Sequence, residues 1–301
     1  MAAPHAAPHP NEKSRFMIRF DNVIKTFRNA RVLDGISLDV GLGERIALIG
    51  SNGAGKTTLI RCLLGEYVHE GKVSIDGMNP RKERAKVLAQ VGFVPQLPPP
   101  LKMPVGQLIN FAADLCGTPP ARIDDIARRL GLDIDGIRSR QFVRLSGGMK
   151  QKLLIAIALG RDARLLIMDE PAANLDPEAR KIFFDLLAER IQNATMLISS
   201  HRLDEVSALV NRVIEMDTGR VVLDDKVTDL GALTSRLDCT IVLKHNDPAI
   251  AKALNGWKFA FDETQIAWRG EIAGADRLRF LGVVSRYTGL VSSLDMTERP
   301  H

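Results

Sequence analysis

Short apolar runs alternate with helical periods along most of the chain, a pattern typical of α/β domains. The continuous apolar run Arg45–Gly50 predicts a strand that is buried on both faces. Two strands are predicted before it, over Met17–Phe27 and Arg31–Val40. After it, the pattern predicts strands at Lys72–Gly77, Val91–Gln96, Arg164–Glu170 and Thr195–His201, and a hairpin over Arg212–Asp225 that turns around Thr218–Gly219.

Helical periodicity fills the intervals between these runs. Helical segments are predicted after residue 56, across about Val105–Leu130, and over Pro177–Ile191. A proline-rich stretch, Pro95–Pro104, separates the first strands from the second helical region. The alternation of strands and helices argues for an α/β core.

Beyond about Leu230 the elements follow a different order, β-α-β-β-α-β, which predicts a small ferredoxin-like appendage. Trp257 and Trp268 fall within it and are interpreted as core residues. We therefore expect a disordered tail over 1–15, a main domain over 16–228 and an α+β domain over 229–301. The predicted elements of this last domain are strands at Cys239–Lys244, Trp257–Phe261, Thr264–Gly270 and Gly289–Asp295, and helices at Asp247–Gly256 and Gly274–Tyr287.

Composition narrows the class of protein only moderately. The 301 residues are 45% hydrophobic and 26% charged, as in ordinary soluble proteins, and the net charge of +5 comes from scattered Lys and Arg. No nucleic-acid partner is expected on that basis. Cys62, Cys116 and Cys239 lie far apart, which argues against a disulfide framework or a cysteine metal site. No apolar run or leader predicts membrane insertion, so we expect a cytoplasmic chain whose membrane role needs a partner.

The segment "GSNGAGKTT" matches G-x-x-x-x-G-K-[ST], between a predicted strand and a predicted helix. Its glycines let backbone N–H groups approach phosphate oxygens. Lys56 is expected to reach the β- and γ-phosphates, Thr57 to bind Mg²⁺, and Thr58 to hold an α-phosphate. The predicted phosphate-binding loop comprises Gly50, Ser51, Asn52, Gly53, Ala54, Gly55, Lys56, Thr57 and Thr58.

Two carboxylates end the buried run Leu165–Glu170. The end of such a strand lies beside the crevice in which α/β sheets bind nucleotides. Asp169 is expected to hold Mg²⁺, mostly through water, and Glu170 to polarise an attacking water as a general base. A helix-capping acidic pair is the alternative, and the phosphate loop elsewhere in the chain disfavours it.

The segment "RLSGGMKQK", Arg144–Lys152, predicts a second anion site at the start of a helix. Ser146 can cap that helix, and Gly147 and Gly148 leave its backbone N–H groups bare. The segment has no obvious ligand of its own, because the first loop already provides a phosphate site.

Together, these three motifs resemble the ATP-binding subunits of ABC transporters in order and spacing, over roughly Met17–Lys226. The resemblance implies an α/β P-loop NTPase fold: a RecA-like core, an antiparallel β subdomain and a helical subdomain at about 97–150. It implies that Phe27 stacks on adenine, that Gln96 joins Thr57 and Asp169 at Mg²⁺, and that His201 orients the water with Glu170. The segment Asn174, Leu175, Asp176 corresponds to the D-loop of the family.

The resemblance also implies two partners. A second copy would form an ATP-sandwich dimer, and a polytopic membrane permease would couple it to transport at the cytoplasmic face of the inner membrane. Within the dimer, the signature segment would face the γ-phosphate held by the other copy. Its residues are Leu145, Ser146, Gly147, Gly148 and Gln151.

Three positions depart from the family pattern. Lys152 stands where arginine is usual, which keeps the charge but loses the guanidinium fork. The D-loop reads Asn-Leu-Asp instead of Gly-Leu-Asp, and Gln107 stands roughly where a glutamate is usual. None of these changes removes a catalytic group, so hydrolysis is expected.

The most similar branch comprises exporters with separate membrane subunits, which handle drugs, antibiotics and nodulation factors or mature nitrous-oxide reductase. That last role would imply copper or sulfur handling, for which the chain has no ligand set. A soluble ABC ATPase, such as a cluster-assembly ATPase, is the alternative function. A nucleotide-gated scaffold without hydrolysis is a third, and Glu170 and His201 count against it.

Overall fold

A computed structural model describes residues 16–190, 194–201, 203–226, 236–245, 247–262, 266–273, 277, 280, 283–284, 287 and 289–298. The prediction for residues 1–15 therefore lies outside the described residues. The chain divides into two compact units. The first holds the described residues up to His201 together with Leu209–Lys226, and the second holds those of 202–208 and those after 226.

The first unit contains two sheets. Its strands are β1 (Phe16–Phe27), β2 (Ala30–Gly41), β3 (Arg45–Gly50), β4 (Glu70–Ile75), β5 (Val91–Val94), β6 (Leu165–Asp169), β7 (Thr195–Ser199), β8 (Arg212–Asp217) and β9 (Arg220–Lys226). One sheet is antiparallel, in the order β2-β1-β4. The other has the order β5-β6-β7-β3-β8-β9, in which only β9 runs antiparallel to its neighbour.

Six helices belong to this unit. They are α1 (Lys56–Leu63), α2 (Arg84–Ala89), α3 (Val105–Cys116), α4 (Pro120–Arg129), α5 (Gly147–Gly160) and α6 (Pro177–Ala188). Two turns of 3₁₀ helix, Asp135–Ile137 and Phe142–Arg144, lie between α4 and α5. The helical period across Val105–Leu130 becomes two helices, because Gly117 ends α3 with φ 61° and Pro120 starts α4. The short helix α2 was absent from the sequence prediction.

The central strands are buried on both faces, as the apolar run Arg45–Gly50 predicts for β3. Every residue of β6 and β7 is buried, as are the middle four of β3. The core of this unit joins the antiparallel sheet, α1 and one face of the parallel sheet, with Phe20, Leu33, Leu59 and Ile214 among its buried side chains.

Parallel strand pairing brings the predicted site residues to the same end of the sheet. The carboxyl ends of β3, β6 and β7 are neighbours, with Leu48 and Asp169 both in register with Ser199. The phosphate loop follows β3, Glu170 is the first residue after β6, and His201 is the second residue after β7. Three segments far apart in sequence therefore meet at one end of the sheet.

The second unit is α+β. It contains α7 (Leu203–Val206), β10 (Arg236–Leu243), α8 (Pro248–Gly256), β11 (Ala260–Asp262), β12 (Ala267–Ala273) and β13 (Val291–Glu298). Its four strands form an antiparallel sheet in the order β11-β12-β10-β13. Their apolar side chains pack with α8 around Phe259, Trp268 and Phe280.

Part of the predicted strand Trp257–Phe261 is wrong. Trp257 caps the end of α8, where its N–H donates to the carbonyl of Leu254, and the turn through Lys258 at φ 61° delays β11 to Ala260. Trp268 is buried, as expected of a core residue. The helix predicted over Gly274–Tyr287 lies mostly outside the described residues.

Candidate functional site

The phosphate loop leaves β3 at Gly50 and enters α1 at Lys56. Gly50 has a φ of 145°, and a Cβ there would lie 2.2 Å from the carbonyl oxygen of Met216. At Gly55, with a φ of 105°, a Cβ would lie 2.9 Å from the carbonyl oxygen of Val32. Both positions therefore require glycine, for backbone conformation and for space.

The β8–β9 turn supports the loop from one side. The N–H of Gly219 donates to the carbonyl of Ala54 at 3.1 Å, and the carbonyl of Gly219 accepts from the N–H of Asp34 at 2.9 Å. This hairpin, predicted around Thr218–Gly219, thus braces the centre of the phosphate loop.

The Lys56 ammonium is held inside the loop. Its Nζ donates to the carbonyl of Gly50 at 2.7 Å and to that of Ser51 at 3.2 Å. Burial lowers the pKa of Lys56, and the nearby carboxylates of Glu170 and Asp169 oppose that shift. Two acidic groups and one buried cation therefore share the end of the sheet.

A pocket of about 360 Å³ opens over this loop. Its lining comes from the loop itself and from three residues on other segments. These lining residues are Asn52, Gly53, Ala54, Gly55, Lys56, Thr57 and Thr58, together with Val32, Gln96 and Glu170. The tertiary structure thus brings Gln96 and Glu170, which are 74 residues apart in sequence, to the predicted phosphate site.

The two acids at the end of β6 have different surroundings. Asp169 is only 2% exposed, and its Oδ1 accepts from the Ser199 hydroxyl at 2.6 Å. The Glu170 side chain reaches the pocket, where its Oε2 lies 2.8 Å from His201 Nδ1. The His201 side chain is 58% exposed, against 10% for Glu170. The pair therefore joins a sheltered carboxylate to an imidazole that faces the outside.

An aromatic pair lies at Phe27. Phe27 is 39% exposed, and its ring meets the Tyr67 ring edge-to-face, with centroids 5.2 Å apart. Lys25 Nζ lies 4.5 Å from the Phe27 centroid, and Arg61 Nη1 donates to the Tyr67 hydroxyl at 2.8 Å. Phe27, expected to stack on a base, is thus a partly exposed residue whose ring contacts Tyr67 and the Lys25 ammonium.

The signature segment begins α5 as predicted. The Ser146 side chain accepts from the N–H of Met149 at 3.3 Å, and a Cβ on Gly147 would meet nothing within 4 Å. Ser146 and Gly147 are exposed, whereas Leu145 is buried. None of these residues is among those that line the pocket at the phosphate loop.

Gln151 lies away from the surface of the signature segment. Its side chain is fully buried, and Nε2 donates to the carbonyl of Pro171 at 2.9 Å. Gln151 thus lies inside the chain, unlike the exposed Ser146 and Gly147 of the same segment. Its bond instead ties α5 to the segment that follows Glu170.

The D-loop segment is fastened to the same helix. Lys152 Nζ lies 2.8 Å from Asp176 Oδ2, and Asp176 also caps α6 by accepting from the N–H of Ala179. Leu175 is buried and Asn174 is exposed, with the Asn174 carbonyl oxygen 3.2 Å from where a Cβ on Gly148 would lie. Lys152 therefore forms a single ion pair at the position where the family usually has arginine.

Two residues of this region were missed from the sequence. Ser199 appeared only as part of an apolar strand, and Tyr67 follows α1 with no motif around it. The sequence feature that could have indicated Ser199 is a hydroxyl residue on an apolar strand, in a sheet where another strand ends in Asp169. For Tyr67 there was none, because its contact with Phe27 exists only in the folded chain.

The residues present fit a Mg²⁺ ion. Thr57, Gln96 and Asp169 offer hydroxyl, amide and carboxylate oxygens, the hard donors that Mg²⁺ prefers. Thr57 and Gln96 line the pocket, and Asp169 is held at the end of the adjoining strand. No group of three or more His, Cys, Asp or Glu that could hold a metal occurs in the described part of the chain. Mg²⁺ commonly takes few protein ligands and completes its coordination with phosphate oxygens and water.

Within the described residues, no helix is both long enough and apolar enough to cross a membrane.

The chain matches known proteins across this region. The family model described as "ABC transporter" matches residues 33–173. A Nod factor export ATP-binding protein I from Paraburkholderia xenovorans is 33% identical over 75% of this chain and 75% of its own length. A phosphonates import ATP-binding protein from Natronomonas pharaonis is 32% identical over 69% of this chain and 93% of its own length. A solved structure of an ATP-binding subunit of an ABC transporter is 26% identical over 70% of this chain and 90% of its own, with a TM-score of 0.64.

Proposed function

Because this chain belongs to the ATP-binding proteins of ABC transporters, we propose that it works as a dimer that drives a separate export permease. It is an ATPase, and the residue roles below are our assignments within that activity. One observation carries them: the pocket at the phosphate loop is completed by Glu170, which is paired with His201 at 2.8 Å.

Binding of ATP is assigned to the loop and to Phe27. The backbone N–H groups of Gly53–Thr58 and the Lys56 ammonium would hold the phosphates, since both are positive groups at the start of a helix. The exposed Phe27 ring offers a surface for adenine. Thr57, Gln96 and Asp169 would hold Mg²⁺, which when bound neutralises charge on the phosphate oxygens.

The chemical step is assigned to Glu170 and His201. The Glu170 carboxylate would accept a proton from the attacking water, because it lines the pocket and is largely sheltered from solvent. The His201 Nδ1–H donates to this carboxylate and holds it in place. With both ring nitrogens protonated, His201 would also donate from Nε2–H to the γ-phosphate.

The dimer is proposed from the position of the signature segment. Ser146 and Gly147 are exposed at the N-terminus of a 14-residue helix and are not part of the pocket in their own chain. Their bare N–H groups and the helix dipole suit the γ-phosphate held by a second copy. Hydrolysis would remove that shared charge and let the dimer open.

A membrane permease is proposed to dock on the segment that follows Gln96. Large apolar side chains are exposed there and on α3, namely Leu97, Phe111 and Leu115. Such a dock would place the chain at the cytoplasmic face of the inner membrane. It would also link Gln96, which lines the nucleotide pocket, to the partner.

Export is proposed because the Nod factor export proteins match this chain along three quarters of its length. Import proteins also match, so the direction needs its own measurement. In inside-out vesicles that contain both subunits, export predicts ATP-dependent movement of the cargo into the lumen. Movement out of preloaded vesicles would contradict it.

The assignment of Glu170 is tested by Glu170→Gln. The amide cannot accept the proton from water, so we expect hydrolysis to fall by about a hundredfold or more, with ATP binding retained. The variant should also accumulate as an ATP-bound dimer in size-exclusion chromatography. Glu178→Gln, an acidic-to-amide change in the first turn of α6, is the matched control and should hydrolyse normally. Hydrolysis by Glu170→Gln at the rate of the unsubstituted protein would refute the role.

A further inference from the structure

Ser199 is the last residue of β7 and lies directly beside Asp169 of β6. Its side chain is fully buried. The hydroxyl donates to Asp169 Oδ1 at 2.6 Å and accepts from the N–H of Glu170 at 2.9 Å. One buried hydroxyl therefore contacts both acidic residues of the site, and no motif marks it.

The two contacts act on different parts of the site. A hydroxyl that donates to a carboxylate at this distance makes a short, charge-assisted bond, which fixes the rotation of the Asp169 carboxylate. The second contact holds the backbone of Glu170, whose φ of 47° lies in a region that non-glycine residues seldom adopt. The same N–H also lies 3.3 Å from the Ser199 carbonyl oxygen, so β7 restrains this peptide twice.

We infer that Ser199 is a positioning residue, which orients Asp169 for Mg²⁺ and holds Glu170 in its pocket-facing conformation. The inference rests on the proposed roles of these two acids. It assigns Ser199 no contact with nucleotide, because the side chain is buried and does not line the pocket. A hydroxyl that merely filled space would affect neither Mg²⁺ affinity nor the rate of hydrolysis.

The test separates hydrogen bonding from packing with three variants. Ser199→Ala removes the hydroxyl, Ser199→Cys keeps its approximate volume with a weak donor, and Ser199→Thr keeps the hydroxyl. We expect Ser199→Ala and Ser199→Cys to lower kcat about tenfold to a hundredfold, because each loses a hydrogen bond to a charged group. The kcat of Ser199→Thr should stay within about threefold of that of the unsubstituted protein. Wild-type kcat in the Cys variant would show a packing role and overturn the inference. The comparison of Ser199→Cys with the unsubstituted protein tests the inference even if the larger Thr side chain disturbs the packing in Ser199→Thr.

A second readout does not depend on turnover. In the Glu170→Gln background, the affinity for ATP is measured by calorimetry once in EDTA and once in Mg²⁺. The ratio of the two affinities is the gain that Mg²⁺ provides. Ser199→Ala should reduce this gain severalfold and leave binding in EDTA unchanged, with thermal unfolding measured as a check on folding. An unchanged gain would overturn the link from Ser199 to Asp169.

The outcomes also distinguish this inference from the proposed function. If Glu170→Gln hydrolyses ATP normally, the assignment of Glu170 fails, whatever Ser199 does. If Glu170→Gln is inactive and Ser199→Ala behaves as the unsubstituted protein in both assays, only the positioning role fails.

Discussion

At Glu170 the backbone has a φ of 47°, a conformation that costs a non-glycine residue about 1–3 kcal/mol. Two contacts of the folded chain hold it there: the N–H of Glu170 bonds to Ser199, and its carboxylate bonds to His201. Strain of this kind persists where the surroundings fix the residue, and it commonly lies at sites that do chemistry. The geometry of Glu170 therefore depends on its neighbours on β7 as much as on its own strand.

His201→Ala is the prediction at the scale of the residue. The change removes the Nδ1–H bond that holds Glu170, so we expect kcat to fall by about a hundredfold, with a smaller loss of ATP affinity from the missing bond to the γ-phosphate. Steady-state kinetics and nucleotide titration measure the two effects separately. Because the side chain is largely exposed, the midpoint of thermal unfolding should stay nearly constant. A kcat close to that of the unsubstituted protein would remove His201 from the site.

The signature segment forms the first turn of helix α5. The residues that follow it make two side-chain contacts with another part of the same chain. Gln151 bonds to Pro171, and Lys152 pairs with Asp176, so the helix is fastened to the chain that leaves Glu170. The exposed face of the signature segment is proposed to contact the nucleotide site of another copy. The bonds of Gln151 and Lys152 instead connect α5 to the site of the same chain. A displacement after hydrolysis at Glu170 would thus reach Ser146 through bonds within one chain.

Lys152→Met is the prediction for this element. It removes the ion pair, and we expect ATP hydrolysis to fall severalfold, while Lys152→Arg, which keeps the charge, stays near normal. The midpoint of thermal unfolding should change little, because Asp176 is half exposed and solvent screens the pair. Asp176→Asn should have the same effect on hydrolysis, and the double variant should be no worse than either single one. Losses that add in the double variant would show that the pair does not act as a unit.

The stabilisation that the Lys152–Asp176 ion pair provides depends on pH in a defined direction. The bond from Lys152 lowers the pKa of Asp176, so the folded protein favours the ionised carboxylate. The contribution of the pair is complete above the pKa of an unfolded aspartate, about 4, and is lost as the pH falls through the lowered value. Near neutral pH the tie is therefore intact.

At the scale of the whole molecule, the site in one chain is incomplete if the signature segment serves a second copy. Each of two sites in a dimer would then take Lys56 and Glu170 from one chain and Ser146 from the other. A symmetric dimer of this kind allows two defective chains to restore one complete site between them.

Mixing two inactive variants tests this arrangement. Ser146→Arg should block the signature face and Glu170→Gln the chemistry, so each alone should hydrolyse ATP very slowly. An equal mixture forms heterodimers with one intact site, and we expect up to about a quarter of the activity of the unsubstituted protein, since half of the dimers are mixed. Phosphate release measured on the mixture and on each variant checks this. Glu170→Gln mixed with Glu170→Gln/Ser146→Arg is the control and should stay inactive, and a lack of recovery in the first mixture would contradict the shared site.

The sequence by itself determined the features that depend on neighbouring residues. The phosphate loop, the buried strands β3 and β6, the Ser146 cap and the β8–β9 hairpin all follow from side-chain type and spacing within a few positions. Their order along the chain was enough to indicate the family, and the match to known ABC proteins confirms it. The roles of the individual site residues stay predictions.

Only the tertiary structure decided which distant groups touch. Parallel pairing of β6 with β7 sets Ser199 against Asp169, and packing hides Gln151 while it leaves Ser146 exposed. The Phe27–Tyr67 contact likewise joins residues 40 positions apart. Such contacts depend on strand order and on which helix face is covered. Both are properties of the whole packed domain, and no local pattern in the sequence records them.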